Sequence, residues 1–260
     1  MKLTVMSNIC LAVALLGLFL HPNPISGQET RNDQPTQDAA GFPPPAGLIR
    51  LAKDADLWID LKNKMVVVDG EIALRRGQLE MFACPKGTKE HESVIAVHSK
   101  AQYVHAGLLA IGAKKGRPVQ FEPKYMPASG TKIDVLVLWK DEQGKKKRGR
   151  AQNWIRNGET GKQMQYDWVF AGSGFWKDPT DGRQFYYGDA GDFICVSNFP
   201  SATLDLPIES SQANTSLMFE AYTERIPPRG TPIRLVLRLQ PEKKQSKQEK
   251  DAPDKQKTQE

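Results

Sequence analysis

The chain has 260 residues, 39% of them hydrophobic and 25% charged, with 36 basic against 30 acidic side chains and three cysteines. A net charge of +6 over that length is too mild to argue for a nucleic-acid partner. Once the two polar ends are set aside, what remains is one domain's worth of chain.

The N-terminus, MKLTVMSN, carries one lysine and runs into the apolar segment Ile9 to Leu20, followed by the polar HPNPISGQ. That run is shorter than the roughly twenty apolar residues a membrane span needs, so residues 1–27 read as an export signal cut after Gly27. The alternative is an uncleaved signal anchor, since the flanking charge is slight. Cys10 opens the apolar run and is badly placed to carry a lipid at a mature N-terminus. Cleavage places the protein in the periplasm, the cell envelope or outside the cell, with no membrane span left. Residues 28–47, polar and then proline-rich at Pro43 to Pro45, read as a disordered tether. The folded region should run from Leu48 to Leu239. Residues 240–260 mix lysines and acids and contain no aromatic or branched aliphatic side chain, so they cannot repay the entropy of ordering.

Strand signals dominate the folded region. DLWIDLKNKMVVVDGEIAL alternates apolar and polar residues on either side of Lys62-Asn63-Lys64, which predicts a hairpin. Next comes EMFACPKGTKEHESVIAVHS, Glu80 to Ser99, with a cysteine, two histidines and three glutamates. A helix is expected at KAQYVHAGLLAIGA, where Ala101, Val104, Leu108 and Ile111 form an apolar stripe, Ser99 can cap the start and Gly112 can end it. Ile133 to Trp139 and Arg150 to Ile155 should flank the charged run Lys145 to Arg150 as a second hairpin with that run at its tip. No aromatic residue interrupts the run, so it lacks the stacking groups of a nucleic-acid site. WVFAGSGFW and RQFYY predict a third pair, followed by DFICVSN. SLMFEAYTERI and TPIRLVLRL predict a last hairpin reversing at Pro227-Pro228-Arg229-Gly230. A shorter helix is suggested near Ser211 to Ser216, and Asn214-Thr215-Ser216 fits a glycan acceptor. The expected fold is mainly β, antiparallel and sandwich-like, with one packed α-helix; an α+β arrangement is the alternative.

The chemistry-bearing residues concentrate in one stretch. Cys84, His91, His98 and His105 follow one another at intervals of seven, a spacing that matches no ligand pair such as C-x-x-C, so neither a metal nor a cofactor is expected. Cys84 and Cys195 are either bridged or two buried thiols. Ser173 lacks the first glycine of a nucleophile elbow, and GETGK lacks P-loop spacing. Lys89, His91 and Glu92 bring a cation, a titratable ring and an anion into one loop, which makes them, with His105, the expected contact region. The competing reading is an ion-pair cluster that holds the loop in place.

LEMFACPKGTKEHES, VHAGLLAIGAKKGRPV and DLPIESSQANTSLMFEAYTERIPPRGTPIRLVL together resemble the YdjY-domain proteins of bacteria. The most specific elements are the Glu80 strand with Lys89, His91, Glu92 and Ser93, the entry His105-Ala106-Gly107-Leu108, and the turn Pro227 to Pro232. The resemblance implies an exported or envelope-attached protein and no particular activity. Some members carry a ferredoxin-like description, but two mature cysteines cannot supply the four thiolates of an iron–sulfur cluster. The expected function is a non-enzymatic, extracytoplasmic module that binds an envelope ligand or protein. The alternatives are a metal- or thiol-dependent enzyme using Cys84, His91 and His105 with Glu80 or Glu92, and a purely structural envelope protein.

Overall fold

The computed structural model describes residues 41–211 and 217–241. The expected export signal (residues 1–27), residues 28–40 of the expected tether, the expected tail from 242, the candidate glycan triplet and the suggested short helix apart from Ser211 lie outside the described residues.

The strands are β1 (Ile49–Arg50), β2 (Leu57–Asp60), β3 (Met65–Ile72), β4 (Met81–Pro85), β5 (Ser93–Val97), β6 (Lys132–Lys140), β7 (Lys146–Arg150), β8 (Ile155–Asn157), β9 (Trp168–Val169), β10 (Phe175–Lys177), β11 (Gln184–Tyr186), β12 (Ile194–Cys195), β13 (Phe219–Ala221) and β14 (Pro232–Leu239). The helix α1 spans Ala101–Ala110. Among the described residues ten strands form one sheet, in the order β12-β4-β5-β3-β14-β6-β7, with β1 and β2 continuing the β5 side of β3 and β9 beside β6. Every pairing in it is antiparallel except β4 with β5. Two small sheets, β10-β11 and β13-β8, complete a mainly β fold with one helix.

The long strands β3, β6 and β14 form where branched aliphatic residues recur; β3 and the first half of β14 are buried on both faces, while β6 alternates buried and half-exposed residues. Gly70 marks where β5 takes over from β2 beside β3: a Cβ there would sit 2.3 Å from the Ala96 carbonyl, so only glycine lets the two backbones meet. Asp69 and Arg234 face each other across β3 and β14 as a buried bidentate pair, at 2.5 and 2.7 Å. Arg234 also lies over the rings of Phe42 and Trp58 and donates to the Pro43 carbonyl. Phe42 and Pro43, proline-tether residues by composition, thus pack on the sheet.

The β2–β3 and β10–β11 hairpins lie where the sequence places them. Two other pairings differ. The charged run Lys146–Arg150 is itself the edge strand β7 and the tip is Asp141 to Lys145, because an exposed edge strand satisfies its backbone on one side while its lysines stay solvated. The last two strands are not a hairpin: β13 pairs with β8, and β14 inserts between β3 and β6 over seven residues with each.

Helix α1 lies against β2 and β3 and buries Ala101, Val104, Gly107 and Leu108, with Gly107 facing Leu51, Val66 and Ile59. Gly112, at φ +93°, ends it as expected. The cap differs. The Ser99 hydroxyl donates to the Lys100 carbonyl, and the free Gln102 N–H donates to Asp189 at 2.9 Å. A carboxylate 87 residues away therefore satisfies the helix start.

Candidate functional site

The neighbouring strands β4 and β5 run parallel but are joined only by residues 86–92. Parallel neighbours usually need a dozen or more connecting residues. Here the chain leaves β4 at Pro85 and re-enters at Ser93 beside Met81. It must run back about 13 Å at the strand rise, within the roughly 26 Å the segment can span. The expected contact loop is thus a short strap drawn back along the sheet. Its turn is fixed by Gly87 N–H donating to Glu90 at 2.7 Å and by Thr88 Oγ1 donating to the Pro85 carbonyl at 2.6 Å.

Lys89 anchors the strap. Its Nζ lies 3.0 Å from Asp192 Oδ1, 3.5 Å from Glu92 Oε1 and 3.6 Å from Glu80 Oε2, and sits 4.6 Å from the centre of the Phe199 ring. Burial acts to lower the ammonium pKa, but the hydrogen bond to Asp192 and the charges of Asp192, Glu92 and Glu80 outweigh it, so the pKa is raised. Glu80 is pushed up by burial and by the nearby Glu92, with Lys89 opposing. The aliphatic stem of Lys89 lies across Gly191, where φ is +135° and a Cβ would come within 2.5 Å of Lys89 Cγ. Lys89, Glu92 and Glu80 are therefore brought together with Asp192, and they satisfy one another.

His91 and His105 do not join them. The His91 side chain is 78% exposed, with Nε2 at 3.9 Å from Glu92. His105 packs edge-on against Phe170 and Tyr186, with Nδ1 2.8 Å from the Tyr186 hydroxyl. Burial and then the charge of Lys115 hold its pKa below the usual imidazole value. Tyr186, whose hydroxyl also meets Thr203 Oγ1 at 3.0 Å, is pushed up to about 12 by burial.

Both cysteines are free and buried. Cys195 lies opposite Met81, and Cys84 stands three residues further along β4, about 10 Å away and on the other face of the pleat, so no bridge forms. Burial raises both thiols, which makes them poor nucleophiles. No group of three or more His, Cys, Asp or Glu able to hold a metal occurs among the described residues.

The strap does border a cleft of about 440 Å³. Lys86 and Thr88 line it from the strap, Lys100 and Tyr103 from the start of α1, and His98 and Asp189 complete it. The His98 side chain is 10% exposed, with Asp56 Oδ2 3.5 Å from Nδ1 and Glu71 Oε2 3.8 Å from Nε2. Neither ring nitrogen makes a hydrogen bond. Asp189 is raised by burial, against the Gln102 N–H and Lys100. Sequence reasoning placed His98 in the series of seven but gave it no role. Asp189 and Asp192 stand about a hundred residues from the strap, and no local pattern connects them to it.

These features define a mainly β domain with a pinned parallel crossover beside a small polar cleft. The chain belongs to the YdjY domain family, whose model matches residues 57–238, from the first residue of β2 nearly to the end of β14. No curated protein and no solved structure matches it. Among the described residues no helix is long and apolar enough to cross a membrane.

Proposed function

We propose that the domain is a non-enzymatic, extracytoplasmic binding module, and that its ligand enters the cleft between the β4–β5 strap and α1. The observation that carries the reading is the cleft itself, about 440 Å³, walled by the nine-tenths-buried ring of His98 and rimmed by charges of both signs. Lys86 and Lys100 face the same space as Asp54 and Asp189, so a small molecule carrying both charges suits it. The buried thiols and the separation of Cys84 from His105 weigh against the thiol enzyme. Export rests on the apolar run Ile9 to Leu20 and the polar residues after it.

The test is an amide-shift titration of the purified protein with a panel of amino acids and dipeptides. Saturable shifts at Thr88, His98 and Tyr103 are expected. They should be lost in His98→Phe and weakened in Lys100→Ala, with thermal unfolding of Lys100→Ala unchanged. A wild-type protein indifferent to the whole panel, or shifts that survive both substitutions, would overturn the assignment.

A further inference from the structure

At the far end of β14 the backbone gathers cations that the strap and cleft do not involve. Leu239 N–H donates to the Lys64 carbonyl at 3.4 Å, and Gln240 N–H donates to the Lys132 carbonyl at 3.1 Å. Thr131 N–H donates to the Lys114 carbonyl at 3.1 Å, while Lys114 N–H donates to Thr131 Oγ1 at 2.8 Å. Lys115 bridges to Gly130 and lays its stem over Gly172, where a Cβ would be 2.0 Å from its Cγ. Lys64, Lys114, Lys115 and Lys132 are exposed, and none forms an ion pair among the described residues. Arg238 is held by Asp134 at 3.0 Å, and Gln240 Nε2 donates to the same carboxylate at 2.9 Å. Two hollows of about 740 and 700 Å³ share Lys114, Thr131 and Gln240 and so form one trough past these side chains.

We infer that this trough is a second binding site, for a chain or surface of closely spaced phosphates. Like-charged ammonium groups fixed on hydrogen-bonded backbone repel one another until an anion lies between them. A trough lined by four lysines without ion-pair partners among the described residues matches repeated charge better than a single anion. The lining contains no aromatic side chain on which a base could stack, which separates the ligand from single-stranded nucleic acid. Lys115 stays pinned over Gly172, and the other three cations project freely.

The test measures binding of short-chain linear polyphosphate, of inorganic phosphate, and of vesicles of phosphatidylglycerol in phosphatidylcholine against phosphatidylcholine alone. Polyphosphate or the anionic vesicles should bind well above inorganic phosphate. Raising salt from 50 to 200 mM should weaken polyphosphate about 50-fold, for about four neutralised phosphates at the single-strand slope. Lys64→Ala/Lys114→Ala/Lys132→Ala should weaken binding at least about tenfold. Lys145→Ala/Lys146→Ala/Arg148→Ala removes the same charge from the β7 edge and its turn and should leave affinity within about twofold. Vesicle binding without polyphosphate binding identifies lipid headgroups as the phosphate source, and the converse a free polymer. Equal losses in the two triple variants, or no binding by either probe at low salt, would overturn the site.

Discussion

Replacing Lys89 with methionine keeps the length of the stem and deletes the charge, so it isolates what the ammonium does for the strap. Its three carboxylates lie at 3.0, 3.5 and 3.6 Å, and their side chains are only 11, 20 and 12% exposed. At an effective dielectric of 20 each contact carries a Coulomb energy of about 5 kcal/mol, most of it cancelled by desolvation. Removing one partner of a buried cluster costs about 3–5 kcal/mol; with 28% of the Lys89 side chain in contact with water, we expect about 2–4. Urea denaturation should show it as a lower midpoint at constant slope. The loss should also depend on pH. Glu80 is already raised in the folded state, so its contribution is full below the unfolded glutamate pKa of about 4.3 and is lost as pH rises through the folded value. Without Lys89 that folded value climbs further, and the deficit against wild type should be smaller at pH 5 than at pH 8. Glu80→Gln added to Lys89→Met should recover part of it, while His91→Ala should change nothing. A loss below about 0.5 kcal/mol at pH 8, or one independent of pH, would refute the role of Lys89 as anchor.

Asp205, buried with a pKa raised to about 7, contributes stability that is full near pH 4 and lost as pH rises through 7, a change on the order of 4 kcal/mol. Asp205→Asn can keep an oxygen to accept from Asn198 and Leu206, and should flatten that profile between pH 4 and 8 in denaturation curves. Tyr186→Phe leaves His105 Nδ1 and Thr203 Oγ1 without their shared partner and should cost about 1–3 kcal/mol by the same assay. Gly191→Ala forces a side chain into positive φ and onto the Lys89 stem, costing about 2–3 kcal/mol. The cost should shrink in a Lys89→Ala background, where only the backbone strain is left, and a double-mutant cycle with no coupling would contradict the packing of Lys89 on Gly191.

The elements of this fold were more legible than their partners. Runs of branched aliphatic residues marked β3 and β14, alternation marked β6, and the Ala101, Val104, Leu108, Ile111 stripe marked α1, because each pattern records how much of its own element is buried. Pairing is a property of two strands, and nothing in TPIRLVLRL says whether its neighbour is the segment just before it or the β3 and β6 strands far upstream. The Pro227 to Gly230 reversal is real, with Gly230 at φ +79°, but β13 ends at Ala221, Thr223 to Arg225 form a 3-10 turn, and the two strands part. The Ser99 cap failed for a related reason: a hydroxyl two residues before α1 competes with a carboxylate delivered by tertiary structure, and only the first is visible in sequence.

The candidate site divides along the same line. Lys89, His91 and Glu92 can be grouped from their place in one loop, but whether a group of charges is presented or consumed depends on partners from elsewhere in the chain. Asp192 arrives with β12 and consumes the cation. The parallel pairing of β4 and β5 is what makes this necessary. A connection this short has to lie flat on the sheet, and one lysine with three carboxylates and an aromatic face holds it there. The groups left over are the ones the strap exposes at its margin. Thr88 and Lys86 line the same cleft as His98, which is buried just past the end of β5 with Asp56 and Glu71 3.5 and 3.8 Å from its nitrogens. The proposed ligand site therefore lies beside the charged motif, in the cleft that its margin shares with His98.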